Sequence, residues 1–128
     1  MNPARPAWYI PGMTRQHPRR MKNVNIFVDV DLTLVDEIGR LLPGAADGLR
    51  RLKAKGCRLF LWSTGGGDYC REVAERYALA DLFEGFFPKP DIIIDDTPGM
   101  CLSPIVFDVN EEESWPAMAE RITDQYVM

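Results

Sequence analysis

The feature that most constrains the fold of this chain is an alternation of short apolar runs with amphipathic stretches. We predict apolar strands over 24–28, 57–62, 91–94 and 105–107, with a short extended piece over 83–87. We predict helices over about 44–55, 68–77 and 115–125. This order is typical of an α/β fold with a parallel sheet, and such continuous apolar runs indicate strands covered on both faces. We therefore expect a three-layer αβα sandwich around a mostly parallel, Rossmann-like sheet.

Local signals place the ends of the predicted helices. Leu49 and Leu52 mark the apolar side of the first helix, and Gly56 is expected to end it. Asp68 is predicted to cap the second helix and Ser114 the third. The segment 32–42 is expected to be irregular, with two short extended pieces around a turn.

The chain has 128 residues, which suits one compact domain. Residues 1–22 contain five basic side chains and no acidic one, and several prolines and a glycine interrupt them. Such a composition predicts a poorly ordered basic leader, although it also fits contact with a polyanion or an acidic partner. The remaining 23–128 are expected to form the domain core.

Composition excludes several classes of protein. No apolar run approaches a membrane span, and the N-terminus has no stretch like a secretory signal, so a cytoplasmic location is expected. The three cysteines are widely spaced and odd in number, which favours reduced thiols over a metal or redox motif. The net charge of −4 gives the whole chain no nucleic-acid signature.

Acidic side chains end two of the predicted strands, and a serine ends a third. In parallel sheets the carboxyl ends of the strands meet at one rim, where ligands bind. Asp29 and Asp31 can face one site there, and Asp95 and Asp96 can add carboxylates from another strand. Magnesium takes oxygen ligands, commonly one or two protein carboxylates with water and phosphate. The pattern therefore predicts a magnesium site.

Phosphate-binding groups accompany these acids. Ser63, Thr64 and Gly65 offer hydroxyl and backbone N–H donors after a strand, and Lys89 stands between two prolines that restrict the backbone around it. A lysine there would balance the carboxylates and hold a phosphate oxygen. Each of these segments, taken alone, is also typical of a helix cap, a turn or a surface loop without any function. Their occurrence in order at successive element ends favours a catalytic site.

Together these segments resemble the four motifs of the haloacid dehalogenase superfamily. Asp29-Val30-Asp31-Leu32-Thr33 matches the first motif, Asp-x-Asp-x-Thr. The apolar run 59–63 ending in serine matches the second motif, and Lys89 matches the motif lysine. The segment 92–96, Ile-Ile-Ile-Asp-Asp, matches the paired-Asp form of the fourth. The resemblance covers roughly residues 24 to 110.

The resemblance implies a reaction. Asp29 would attack phosphorus to form an aspartyl-phosphate, and Asp31 would protonate the leaving oxygen and then activate water. Asp29, the Asp31 carbonyl and Asp95 would hold Mg²⁺, with Asp96 helping or orienting a water. A phosphohydrolase is implied rather than a dehalogenase, because the dehalogenase branch lacks the second acid.

In the same family, Ser63 and Lys89 would hold the phosphoryl oxygens, with Thr64 as the alternative hydroxyl. Members often carry a cap domain, but 33–43 has room only for a flap and 63–89 only for a helix and a connection. The implied site is open and suits a large phosphorylated substrate, or a lid supplied by a partner or a second subunit.

Alternative functions stay open from the sequence. A binding or regulatory protein on the same scaffold is the second reading, and a phosphotransferase is the third. Nucleic-acid ends are one substrate class of the leading reading, not favoured by the net charge. The sequence does not determine the substrate or the oligomeric state.

Overall fold

A computed structural model describes residues 20–96 and 104–128 of the chain. Most of the predicted leader, and Thr97-Pro98-Gly99 after the acidic pair, lie outside these residues. The strands are β1 (Asn25–Asp29), β2 (Arg58–Ser63) and β3 (Phe83–Pro88). The helices are α1 (Ala45–Ala54), α2 (Gly67–Arg76) and α3 (Trp115–Tyr126). Short 3₁₀ turns occupy Ala80–Leu82 and Val109–Glu111.

The three strands form one parallel sheet in the order β1-β2-β3. Asp29 is in register with Trp62, and Ser63 is in register with Pro88. The carboxyl ends of all three strands therefore lie at one rim. The prediction of an α/β fold with a parallel sheet is confirmed for the described residues.

Two predicted strands are wrong. The third strand of the sheet is β3, which the sequence analysis took for a short extended piece, and 91–96 and 105–107 contain no strand. Ile92 is 82% exposed and Ile94 is 95% exposed. An apolar run becomes a strand only where a neighbour pairs with its backbone. Here β3 pairs with β2 as far as Pro88, the Lys89 N–H adds one more bond to the Ser63 carbonyl, and 91–94 pairs with no strand of the sheet.

The core lies on one face of the sheet. Leu59 and Leu61 of β2 are fully buried there, and Leu49 and Leu52 bring α1 onto them as the apolar pattern predicted. Val73 brings α2 into the same buried cluster as Leu59 and Leu61, so α1 and α2 cover the same face of the sheet. The described residues show the parallel sheet with helices on it, and the three-layer form of the sandwich stays a prediction.

Of the two predicted side-chain caps, one is present and one is not. Ser114 caps α3 as predicted, because its Oγ accepts a first-turn backbone N–H at 3.1 Å. Asp68 does not cap α2; Gly66, with φ of 99°, precedes the helix. A Cβ on Gly67 would lie 2.8 Å from the Phe86 carbonyl oxygen, so this helix start touches β3 directly.

The segment after β1 forms a small flap, as predicted. Val35 bridges to both Asp31 and Leu41, and Gly39 turns the chain with φ of 83°. No cap domain fits here. Among the described helices, none combines the length and apolar content that crossing a bilayer requires.

Met21, near the start of the described residues, lies beside the last residues of the chain. Met21 donates its backbone N–H to the Tyr126 carbonyl at 2.7 Å, and its own carbonyl accepts from Met128 at 3.0 Å. The end of the predicted leader therefore pairs with the last residues of the chain.

Candidate active site

Asp29 is the last residue of β1, and both of its carboxylate oxygens have partners. Lys89 Nζ lies 3.1 Å from Oδ1. Thr33 Oγ1 donates to Oδ2 at 3.3 Å. The backbone makes this possible because it turns sharply after the strand: the N–H groups of Leu34 and Val35 both bond to the Val30 carbonyl. The first motif is thus a compact turn that presents the Asp29 carboxylate at the rim.

Asp31 lies in the same turn and is held by Tyr69, a residue outside the predicted site. Tyr69, in the first turn of α2, donates its hydroxyl to Asp31 Oδ1 at 2.6 Å. This hydrogen bond, together with desolvation, raises the pKa of Tyr69 to about 12. The only sequence signal was its place just after the glycine loop. Tyr69 fixes the orientation of the carboxylate proposed below as acid and base.

The Tyr69 contact gives a testable pH dependence. We expect the phenolate absorbance of the protein, minus that of Tyr69→Phe, to titrate near pH 12. A pH-jump measurement reads the absorbance before the chain unfolds. Because the folded pKa lies above the ordinary value of 10.0, the hydrogen bond stabilises the fold below that pH, and this contribution is lost as pH rises through about 12.

Asp31→Asn is the matched control for that titration, because it removes the charged acceptor and leaves Tyr69 in place. Its Tyr69 titration is expected to move back toward pH 10. A Tyr69 titration near 10 in the unmodified protein would contradict the hydrogen bond.

Ser63 is the buried hydroxyl of the second motif. Its side chain is 1% exposed, and Oγ accepts the Gly65 N–H at 3.0 Å. A hydroxyl that accepts this bond retains its proton for donation. Thr64, the alternative hydroxyl, is exposed on the loop. The structure therefore favours Ser63 as the ordered donor of the pair.

Lys89 follows β3 directly and is anchored by its backbone. Its N–H donates to the Ser63 carbonyl at 3.0 Å, which ties the second motif to the lysine. The ammonium lies 3.1 Å from Asp29 and 5.8 Å from the centre of the Trp62 ring. The structure thus places Lys89 beside the strand-end carboxylate.

The predicted metal ligands are brought together only in part. Asp29 and Asp31 share the turn after β1, but Asp95 and Asp96 lie in 91–96, beyond β3 and outside any strand. Across 20–96 and 104–128, no group of three or more acidic, His or Cys side chains is arranged to hold a metal. Two carboxylates still fit Mg²⁺, which completes its shell with water and phosphate. The contribution of Asp95 and Asp96 stays a prediction.

An open groove of about 470 Å³ adjoins the motif on the side of α3. Leu32, Leu42 and Met118 form part of its apolar lining, and Glu37 and Glu113 add charge. Trp115, at the start of α3, donates its indole N–H to the Thr33 carbonyl at 2.9 Å and so fixes one wall to the motif. Solvent also reaches the site itself, because the Lys89 and Asp29 side chains are 36% and 31% exposed.

Comparison of the chain with protein-family models, with curated proteins and with solved structures found no match in any of the three. The resemblance to the haloacid dehalogenase superfamily therefore rests on the four motifs alone.

Proposed function

We propose that this chain is a magnesium-dependent phosphomonoesterase that uses Asp29 as a covalent nucleophile. One observation supports it most. The Asp29 carboxylate lies at the carboxyl rim of a parallel sheet with a lysine ammonium 3.1 Å away, and a second carboxylate in the same turn is oriented by a tyrosine. This arrangement brings a nucleophile, an acid–base group and a cation together where phosphate esters bind.

The reaction has two steps. An Asp29 oxygen attacks phosphorus and forms an acyl phosphate, while the bond to the leaving oxygen breaks and Asp31 supplies its proton. Asp31 then takes a proton from water, which attacks phosphorus and releases inorganic phosphate and the free Asp29 carboxylate. Lys89 and Ser63 hold the phosphoryl oxygens. Bound Mg²⁺, held by Asp29 and Asp31, would neutralise charge on the phosphate.

The proposal extends to the fold family and the setting of the enzyme. We place the chain among small haloacid dehalogenase-like proteins without a cap domain, acting in the cytoplasm. The three-layer form of that fold is part of the expectation, with Asp95 and Asp96 near the metal. The four motifs support this assignment, since they occur in order and the first, second and lysine motifs meet at one rim.

The direct test is phosphate release from an aryl phosphate with and without magnesium. We expect turnover with Mg²⁺ and its loss when EDTA is added, restored by excess Mg²⁺. Equal turnover in EDTA would contradict the magnesium requirement. No turnover on a panel of sugar phosphates, nucleotides and phosphopeptides would contradict the phosphatase.

A binding or regulatory protein on the same scaffold is the second candidate. It is favoured by the open rim, where the Asp29 and Lys89 side chains are 31% and 36% exposed. It predicts calorimetric binding of a phosphorylated ligand at the rim without turnover, whereas the enzyme predicts release of phosphate from the same ligand.

A further inference from the structure

Four aromatic side chains form a continuous surface on the face of the sheet opposite the core. We call it the aromatic face; it consists of Phe27, Phe60, Trp62 and Phe87. Phe27 stacks on Phe60 with ring centres 4.8 Å apart and meets the edge of Trp62 at 5.0 Å. Phe87 lies 6.2 Å from both phenylalanines. The rings contact one another and so form one patch.

The aromatic face is open in the described structure. Along β2, Leu59 and Leu61 are buried under the helices, and the alternate residues Phe60 and Trp62 point the other way and are half-buried. Phe27 remains 47% exposed and Phe87 43% exposed. Parallel sheets normally bury both faces, so a contiguous aromatic surface here indicates a binding site.

The aromatic face is continuous with the candidate active site. Asp29 lies two residues after Phe27 on the same strand and so shares its side of the sheet. Lys89 links the two features, because its ammonium lies 3.1 Å from Asp29 and 5.8 Å from the Trp62 ring centre. A phosphate held at Asp29 and Lys89 would therefore have an aromatic surface directly beside it.

A second cation stands at the far end of this surface. Arg58 alternates with Phe60 and Trp62 along β2, so it shares their face, and it is exposed. Trp62 lies four positions after Arg58 along β2, which places their Cα atoms about 13 Å apart. A ligand with several phosphates and flat rings would contact Lys89 at one end of the aromatic face and Arg58 at the other, with its rings stacked on the aromatic side chains between them. A small aliphatic phosphate would contact only Lys89.

We propose that the aromatic face binds the bases of a single-stranded nucleic acid whose terminal phosphate lies at Asp29 and Lys89. The proposal rests on the proposed phosphatase and names its substrate class. Stacking on aromatic rings contributes about 1–3 kcal/mol per base without requiring a particular sequence. The net charge of −4 does not oppose it, because the two cations are local to this face and the acidic groove lies on the side of α3.

Binding is measured first, with a fluorescent hexathymidylate that carries a terminal phosphate. We expect an anisotropy rise with the whole chain, and about 5-fold or greater loss of affinity in Phe27→Leu and in Phe87→Leu, because one stacking contact is removed. Phe107→Leu is the matched control: its ring packs on Tyr126, away from the aromatic face, and affinity should not change. Arg58→Gln is expected to weaken binding and to lower the salt dependence.

Turnover is measured on the same variants with the phosphorylated hexathymidylate and with glycerol phosphate, which has no ring. We expect Phe27→Leu and Phe87→Leu to lower kcat/KM for the oligonucleotide at least about 5-fold more than kcat/KM for glycerol phosphate. If the two variants weaken oligonucleotide binding but neither compound is turned over, the aromatic face is supported as a binding surface and the phosphatase is contradicted. Turnover of both compounds without an effect of the two variants would support the phosphatase and overturn this surface.

Two further outcomes overturn the proposal. A dimer in light scattering that dissociates in Phe87→Leu, with no oligonucleotide binding, would assign the aromatic face to a second copy of the chain. Oligonucleotide binding that appears only after residues 1–19 are deleted would assign the face to that segment.

Discussion

Replacing Asp29 by Asn is expected to lower kcat/KM for an aryl phosphate by about 10³-fold or more, because the amide is not a nucleophile toward phosphorus. Asn keeps the size of the side chain and can still accept from Thr33, which donates to the carboxylate at 3.3 Å. The fold should therefore persist. Phosphate release and far-ultraviolet circular dichroism, measured on the same sample, separate loss of chemistry from loss of structure.

Asp47→Asn is the matched control for this experiment. Asp47 makes an exposed pair with Arg51 on α1, away from the rim, and its loss should leave kcat/KM unchanged. Such pairs contribute little to stability. Full activity in Asp29→Asn would contradict the nucleophile assignment. Equal loss in both variants would indicate that activity responds to any change of charge rather than to Asp29.

Replacing Leu61 by Ala is expected to lower the free energy of unfolding by about 2–5 kcal/mol, because the cavity forms in a tightly packed core. Leu61 is 0% exposed, in the middle of β2 beneath the helices. A loss of this size is a large part of the 5–15 kcal/mol typical of a domain. Urea unfolding followed by circular dichroism measures it, with a lower midpoint and an unchanged slope.

Ile38→Ala removes a comparable aliphatic side chain from the surface and serves as the control. Ile38 is 69% exposed on the flap after β1. Its substitution should change the unfolding free energy by less than about 0.5 kcal/mol. Equal losses in the two variants would contradict the burial of Leu61 on the helical face of the sheet.

Local patterns predicted most of the elements correctly. The apolar run ending in Asp29 forms β1, and the Leu49 and Leu52 spacing predicts the buried side of α1. Gly56 follows the end of α1 with φ of 88°, a conformation that glycine adopts easily. In each case the signal is local, because a few neighbouring residues determine the backbone conformation.

The isoleucine run before Asp95 shows why other predictions failed. Apolar content predicted a strand there, yet the run is exposed and unpaired with the sheet, while Phe83–Pro88 takes the edge of β2. Strand pairing depends on which segment fits a free edge of the sheet best in the whole fold. Sequence periodicity holds no information about that competition, so the predicted position of Asp95 and Asp96 at the rim was not confirmed.

The sequence by itself determined the first two strands, the three helices and the residue types available for chemistry: the acids after the first strand, the serine that ends the second and the lysine between prolines. These follow from residue type and spacing along the chain. Only the tertiary structure decided that Lys89 lies beside Asp29, that Tyr69 bonds Asp31 across 38 residues of sequence, and that four aromatic rings share an open face. Contacts between distant segments depend on strand pairing and helix placement, which are properties of the whole fold.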